Sequence, residues 1–385
     1  MSARATHISQ GGRAILMAAL LALFTLAGPC LAGETFKVVP SVSLRETYDS
    51  NVNFNGKGDF EHSATPGVRV DLQQERLRGW TQARGTAYKY MRLNEYDRVD
   101  QNYDAGLEVN VTERITLNAK GSATLDHAFS SSLGDTGERS PHRASRQLLN
   151  AQPSVTFALD ETNALTLTYA FSKTDYDTQD YIDSLSNTFS GLWGYRLNER
   201  TQLLLQLSKG WIEASTAQQD IFSGMAGFEY ALAETVKARV LAGASSMNTK
   251  PKAAEARTSS NFSADTSLEW KLETLTTSAG YSRDMTMGIS GEDLVRDRLS
   301  LNFSMEVSER LQLALGGNLV LSENSSTNQT RQSNRWYEIR PTIRYRVGED
   351  SNLSLGYSYG STKDLEQDSL RTRNRIFLDY NISFP

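Results

Sequence analysis

Beyond residue 32 the chain holds three histidines, His62, His127 and His142, and no cysteine. His127 stands near the serines at 130–132 in HAFSSSLGDTG, the pairing a serine hydrolase would need. No acid is set apart to orient that histidine, and the stretch has ordinary loop composition. Nor is there an HxxxH or HxxE spacing for a metal, a Gly-rich phosphate loop, or a CxxCH for haem. The residues predict no catalytic site, no cofactor site and no metal site, hence no enzyme.

Binding chemistry is better represented, in two places. In LRGWTQARGTAYKYMRL, period-two alternation puts Trp80, Arg84, Tyr88 and Tyr90 on one face of a strand. Aromatic rings beside an arginine suit the apolar face and hydroxyl rim of a sugar ring, so these four are candidate saccharide contacts. A bulge at Gly79 or Gly85 would turn the rings to the other face. The second place is a basic cluster, Arg340, Arg344 and Arg346 on one strand with Arg375 on the next but one. It could hold an anion, but bracing of the wall through Glu338 and Asp379 is the stronger expectation.

Both groups need strands to position them, and the whole chain is written in strands. NALTLTYAFSKT, SNLSLGYSYGS and the final NRIFLDYNISFP alternate apolar and polar residues, the last up to the chain end. The polar faces are Ser, Thr, Gly, Asn and Gln with scattered charges rather than the Lys and Glu of a face in bulk water. A transmembrane barrel asks for this, apolar toward lipid and polar toward an aqueous lumen. Lumen parity also takes in Arg69, Asp71, Asp104, Glu108, Lys120, Arg239, Asp265, Arg298 and Asp379. Both signs are mixed, so no ion filter of one sign is expected.

A short acidic turn recurs as LQQERL, VTERIT, LDETNAL, LNERTQL, LAETVKA, LETLTT, VSERLQL and VGEDSNL, with acids at 75, 113, 161, 199, 234, 273, 309 and 349. Each repeat accommodates two strands, one tight turn and one longer loop. Eight turns join sixteen strands, and one more at each end makes eighteen, with both termini on the short-turn, periplasmic side. Sixteen would result if the N-terminal pair folded otherwise. Between the turns lie longer polar segments such as HAFSSSLGDTGERSPHR and MNTKPKAAEART, predicted to be outer loops. The one at 126–146 is the candidate for a loop folded into the lumen. Phe157, Tyr230, Trp270, Tyr345 and Phe384 near turns, with Tyr103, Tyr176, Trp211 and Tyr281 near loops, fit two aromatic girdles.

Residues 1–32 read as a secretory signal peptide: Arg4 and Arg13, an apolar run over 14–27, and small residues before Ala32. That run is shorter than the ~20 residues a spanning helix needs. Residues 33–385 then form a single barrel domain, which carries 38 Lys+Arg against 45 Asp+Glu once Arg4 and Arg13 are removed from the 40. This formal charge of -7 argues against a nucleic-acid partner. With the signal removed, Cys30 leaves too, and no disulfide can form.

At VVPSVSLRETYDSNVNF the chain resembles the β-barrel porins found with exopolysaccharide and capsule assembly systems of Gram-negative bacteria. The carrier is a Pro-containing first strand and an aromatic-Asp-x-Asn-aliphatic step, here Tyr48, Asp49, Ser50, Asn51 and Val52. The terminal strand resembles the insertion signature of bacterial outer-membrane barrels, an alternating strand ending in an aromatic, except that Pro385 follows Phe384. The resemblance implies an outer-membrane porin that helps a secreted exopolysaccharide cross, with outer-membrane lipid, a polysaccharide and periplasmic export proteins as partners. A general or solute-selective diffusion porin is the alternative, and a sheath around a periplasmic partner a second. A loop folded into the lumen would favour diffusion, and a clear lumen lined for carbohydrate would favour export.

Overall fold

The computed structural model describes residues 35–127, 144–178, 181–252, 255–288, 293–324, 333–364 and 369–384. The signal segment, residues 130–132, His142, most of the 126–146 loop and Pro385 lie outside them. Eighteen strands follow one another: β1 (Thr35–Asp49), β2 (Asp59–Gln73), β3 (Leu77–Tyr90), β4 (Arg98–Thr112), β5 (Ile115–His127), β6 (Ser145–Ala158), β7 (Asn163–Tyr176), β8 (Ser184–Arg196), β9 (Thr201–Ala214), β10 (Ala217–Ala233), β11 (Val236–Pro251), β12 (Arg257–Lys271), β13 (Leu275–Met287), β14 (Asp293–Glu306), β15 (Leu311–Asn324), β16 (Ser333–Arg346), β17 (Ser351–Asp364) and β18 (Ser369–Ser383). Each pairs antiparallel with its neighbours in the chain. β18 pairs with β1 from Ser41↔Ser383 to Asp49↔Arg375, closing the ring at eighteen rather than sixteen. The oily side of NRIFLDYNISFP therefore faces outward, with Ile376, Leu378 and Tyr380 exposed on the barrel wall.

All eight acidic turns lie at one end, each tight enough for the backbone to bond across it, as in Leu272 N–H to Leu275 O at 2.7 Å and Val307 N–H to Leu311 O at 2.8 Å. In the turn before β7, Asp160 accepts from the Thr162 and Asn163 backbone N–H groups and side chains. Those bonds, the Thr162 backbone first, lower its pKa to about 2. The apolar residue opening the repeat stays exposed, at Leu159, Leu197, Leu232, Leu272, Val307 and Val347, so the repeat also lays an apolar ring around this rim.

At the other end the strands run further than the polar segments suggested. β9 and β10 are joined by only Ser215 and Thr216, and MNTKP of the predicted loop is strand. The polar composition belongs to strand ends that project past the apolar band. Tyrosines mark the band's upper edge, each donating its hydroxyl to a polar residue of this projecting zone: Tyr103 to Gln101, Tyr169 to Asn187, Tyr281 to Asp297 and Tyr357 to Asn374. Tyr176 departs from the girdle reading, since it turns inward and packs at a tilt on Tyr181, ring centres 5.0 Å apart.

Two irregularities interrupt the ladders. Pro66, Pro153 and Pro341 lack the N–H that a ladder needs, and the β2–β3, β6–β7 and β16–β17 registers each skip pairs there. The β12–β13 ladder stops at Ala264↔Arg283, although β12 begins seven residues earlier at Arg257 and β13 ends at Met287.

Candidate lumen site

Alternation turns Ser43, Arg45, Asp379 and Arg344 inward, and the registers align them. Arg344 pairs with Ser354, Ser354 with Asp379, Asp379 with Arg45, Arg45 with Ser63 and Ser63 with Tyr88. One row across β16, β17, β18, β1, β2 and β3 thus lines a wall groove of about 710 Å³. Hydroxyls and amides dominate the groove, including Ser41, Thr65, Gln82, Asn102 and Asn381, with Arg84 among them.

The arginines are only partly neutralised. Arg45 donates to Asp379 at 2.9 Å, and Ser43 shares that carboxylate at 3.0 Å. Arg84 meets Asp104 at 3.3 Å, whereas Arg344 donates to the neutral Gln312 at 3.0 Å. One step outward, Arg340 at 2.9 Å and Arg375 at 2.5 Å share a single carboxylate, Glu338, which also accepts from Ser358 at 2.5 Å. Arg346 stands exposed at the inner end of β16. The bracing expected of the basic cluster is thus present at Glu338, but Asp379 is taken by Arg45 rather than Arg375, and positive charge is left over.

The aromatic candidates do face inward, as Arg84 requires, but at separate levels. Trp80 lies toward the inner end with the Arg69 guanidinium 4.7 Å from its ring, and it packs so closely on Gly106 that a Cβ there would come within 2.5 Å of the indole nitrogen. Tyr88 borders the groove with Arg98 3.8 Å from its ring centre. Tyr90 is buried, its hydroxyl donating to Glu61 at 2.5 Å. Only Arg84 and Tyr88 of the four line the groove.

The loop between β1 and β2 folds inward. Val52, Asn53 and Phe54 are buried, and Phe54 reaches Trp336, Gly360 and Arg373 on the lumen faces of β16–β18. Arg371 donates to the Phe54 carbonyl at 2.9 Å, Asn51 to the Thr372 carbonyl at 2.7 Å, and Arg373 pairs with the buried Asp49. These contacts hold Asn53 and Phe54 at φ of 51° and 57°, a left-handed conformation costing roughly 1–3 kcal/mol each. The Tyr48–Val52 step is accordingly the root of this inward loop.

Sequence reasoning did not single out Arg45, Arg98, Arg371 or Arg373. Parity would have found the last two, since RTRNR puts Arg371, Arg373 and Arg375 on one face. His62 faces outward and pairs with Glu46 on the neighbouring strand, and His127 meets Asp100 at 3.1 Å. Among the described residues no group of three or more His, Cys, Asp or Glu could hold a metal.

An apolar exterior banded by aromatics, a polar lumen, tight turns at one end and a sheet closed into a ring define an outer-membrane β-barrel channel of Gram-negative type. No family model and no curated protein matches the sequence. Solved structures similar to it include Pseudomonas aeruginosa OpdO, with a TM-score of 0.46 and 13% identity over 91% of this chain and 98% of that one. OpdK of the same organism, solved with vanillate, has a TM-score of 0.46 and 14% identity over 90% and 99% of the two chains. Acinetobacter baumannii OccAB3 has a TM-score of 0.42 and 9% identity over 91% and 99%. Likeness at that level carries no inference about solutes.

Proposed function

We propose that the barrel is a solute-selective diffusion channel for small hydrophilic anions. The observation that carries this is the arginine surplus on one lumen wall, where Arg340 and Arg375 share Glu338 and Arg344 donates to the neutral Gln312. Guanidinium forks in a groove of hydroxyls and amides bind an oxyanion and its hydroxyl groups without trapping either, as conduction requires. The loop carrying Phe54 narrows the same wall from the outer side, which favours single solutes over a polymer. Export of a secreted exopolysaccharide is the second reading, supported by the hydroxyl and amide lining and by Tyr88 beside Arg84.

Swelling of liposomes that contain the purified barrel separates the two. A sugar phosphate should enter faster than the neutral parent sugar, and Arg344→Gln should shrink the difference. Equal or reversed rates would remove the anion reading. Deleting the gene should leave surface polysaccharide unchanged; its loss, restored only by the intact barrel, would favour export.

A further inference from the structure

The outer ends of β13 and β14 leave the wall. Parity puts Met285 on the outward side of β13 and Asp293 and Val295 on the outward side of β14, yet all three are buried. They lie against the inward sides of β10, β11 and β12. Met285 and Val295 pack with Met247 and Ile221, and Asn261 approaches the Met285 sulfur at 4.0 Å. The sheet thus overlaps itself, with the edge of β13 inside the edge of β12, which is why their ladder stops at Ala264↔Arg283.

Asp293 fastens the overlap. Its carboxylate accepts from Gln219 Nε2 at 2.7 Å, Thr249 Oγ1 at 2.8 Å and Arg257 Nε at 2.7 Å, three donors on three strands converging on one anion. Gln219 and Asp293 are each 1% exposed, yet Gln219 Oε1 is a buried acceptor with no donor. Asp293 therefore meets a donor from each of the three residues and leaves the buried Gln219 Oε1 without one. A free carboxylate with an adjacent hydroxyl or ammonium group would satisfy both.

We infer that Gln219, Thr249 and Arg257 form a carboxylate-binding site that the protein fills with its own Asp293, and that a solute carboxylate bearing a neighbouring hydroxyl or ammonium group displaces it and releases β13 and β14 outward. The released state has somewhere to go. Continuing the existing register pairs Ser263 with Asp284, Phe262 with Met285, Asn261 with Thr286 and Ser260 with Met287, keeping Phe262 and Met285 both outward. Two alternative sets of bonds make the element two-state, and a ligand that binds only the site vacated by Asp293 shifts it. The inference rests on the channel reading only in taking the lumen to conduct, and its readout is opening rather than ion preference.

The test uses the full barrel in a planar bilayer, with sodium lactate added on the loop side at a small fraction of the salt concentration. Lactate should raise the mean conductance at least about twofold, and acetate, which lacks the hydroxyl, should do less. Asp293→Asn should conduct at the raised level without lactate and respond no further. A Met247→Cys/Met285→Cys pair, oxidised, should hold the strands inward and abolish the lactate response until reduced. A wild-type channel indifferent to lactate, an Asp293→Asn channel that conducts as the wild type, or an oxidised pair that still responds would each overturn the inference.

Discussion

Among the described residues two elements turn into the lumen at the outer end, about a third of the ring apart, and they are built on opposite principles. The β1–β2 loop leaves its ladder intact, since β1 and β2 stay in register through Asp49↔Asp59, and fills the space above it with Phe54. The end of β13 gives up its ladder pairs with β12, and with β14, still paired to it, lays an apolar surface on β10–β12. The first has no competing set of bonds, because releasing it would strand Asp49 and Arg373 without new pairs. The second trades one set of bonds for another. A fixed constriction and a movable one can therefore be told apart by whether the backbone has an alternative partner.

The largest effect that could break this contrast is expected at Asp49. Asp49→Asn leaves Arg373 buried without its counter-charge, and losing one partner of such a pair costs on the order of 3–5 kcal/mol. The urea midpoint of the folded barrel should fall accordingly. Asp293→Asn removes an equally buried carboxylate, but its midpoint should move far less, because the freed strands regain ladder pairs and Arg257 is 40% exposed. Equal losses at the two sites would end the distinction between fixed and movable elements.

The smallest effect belongs to neither element and serves as a control. Asp160 lies in an exposed inner turn with its pKa lowered to about 2. A lowered carboxylate contributes stability above its unfolded value, 3.8, and loses it as pH falls through about 2. Asp160→Asn should therefore differ from the wild type at neutral pH and converge with it as the pH approaches 2. A difference that persists at that pH would mean the turn is held by something other than the charged Asp160.

Why the fixed parts were legible and the movable one was not follows from what alternation can encode. The acidic turns announce themselves because each needs the same tight connection, and counting them gives eighteen strands. Arg84 fixes the facing of Trp80, Tyr88 and Tyr90 because a guanidinium cannot sit in lipid. The covering of those rings by Arg69 and Arg98 was not legible, since the partners come from neighbouring strands and depend on register. The outer loops read too long because strand ends above the lipid band carry the same polar residues as loops. Met285 and Val295 were illegible for a sharper reason: an apolar outward residue reads the same whether it meets lipid or the opposite wall of its own lumen. Asp293, by contrast, sits at the strand's start, where a carboxylate passes for turn composition.

Anion selection by one lumen wall, through its surplus of arginine, would show in the ion preference of the channel. The reversal potential of the purified barrel in a planar bilayer under a potassium chloride gradient tests it most directly, with Arg344→Gln and Arg340→Gln measured beside the wild type. The wild type should prefer anions, and that preference should weaken in both variants. A cation-preferring wild type, or variants with an unchanged potential, would contradict it.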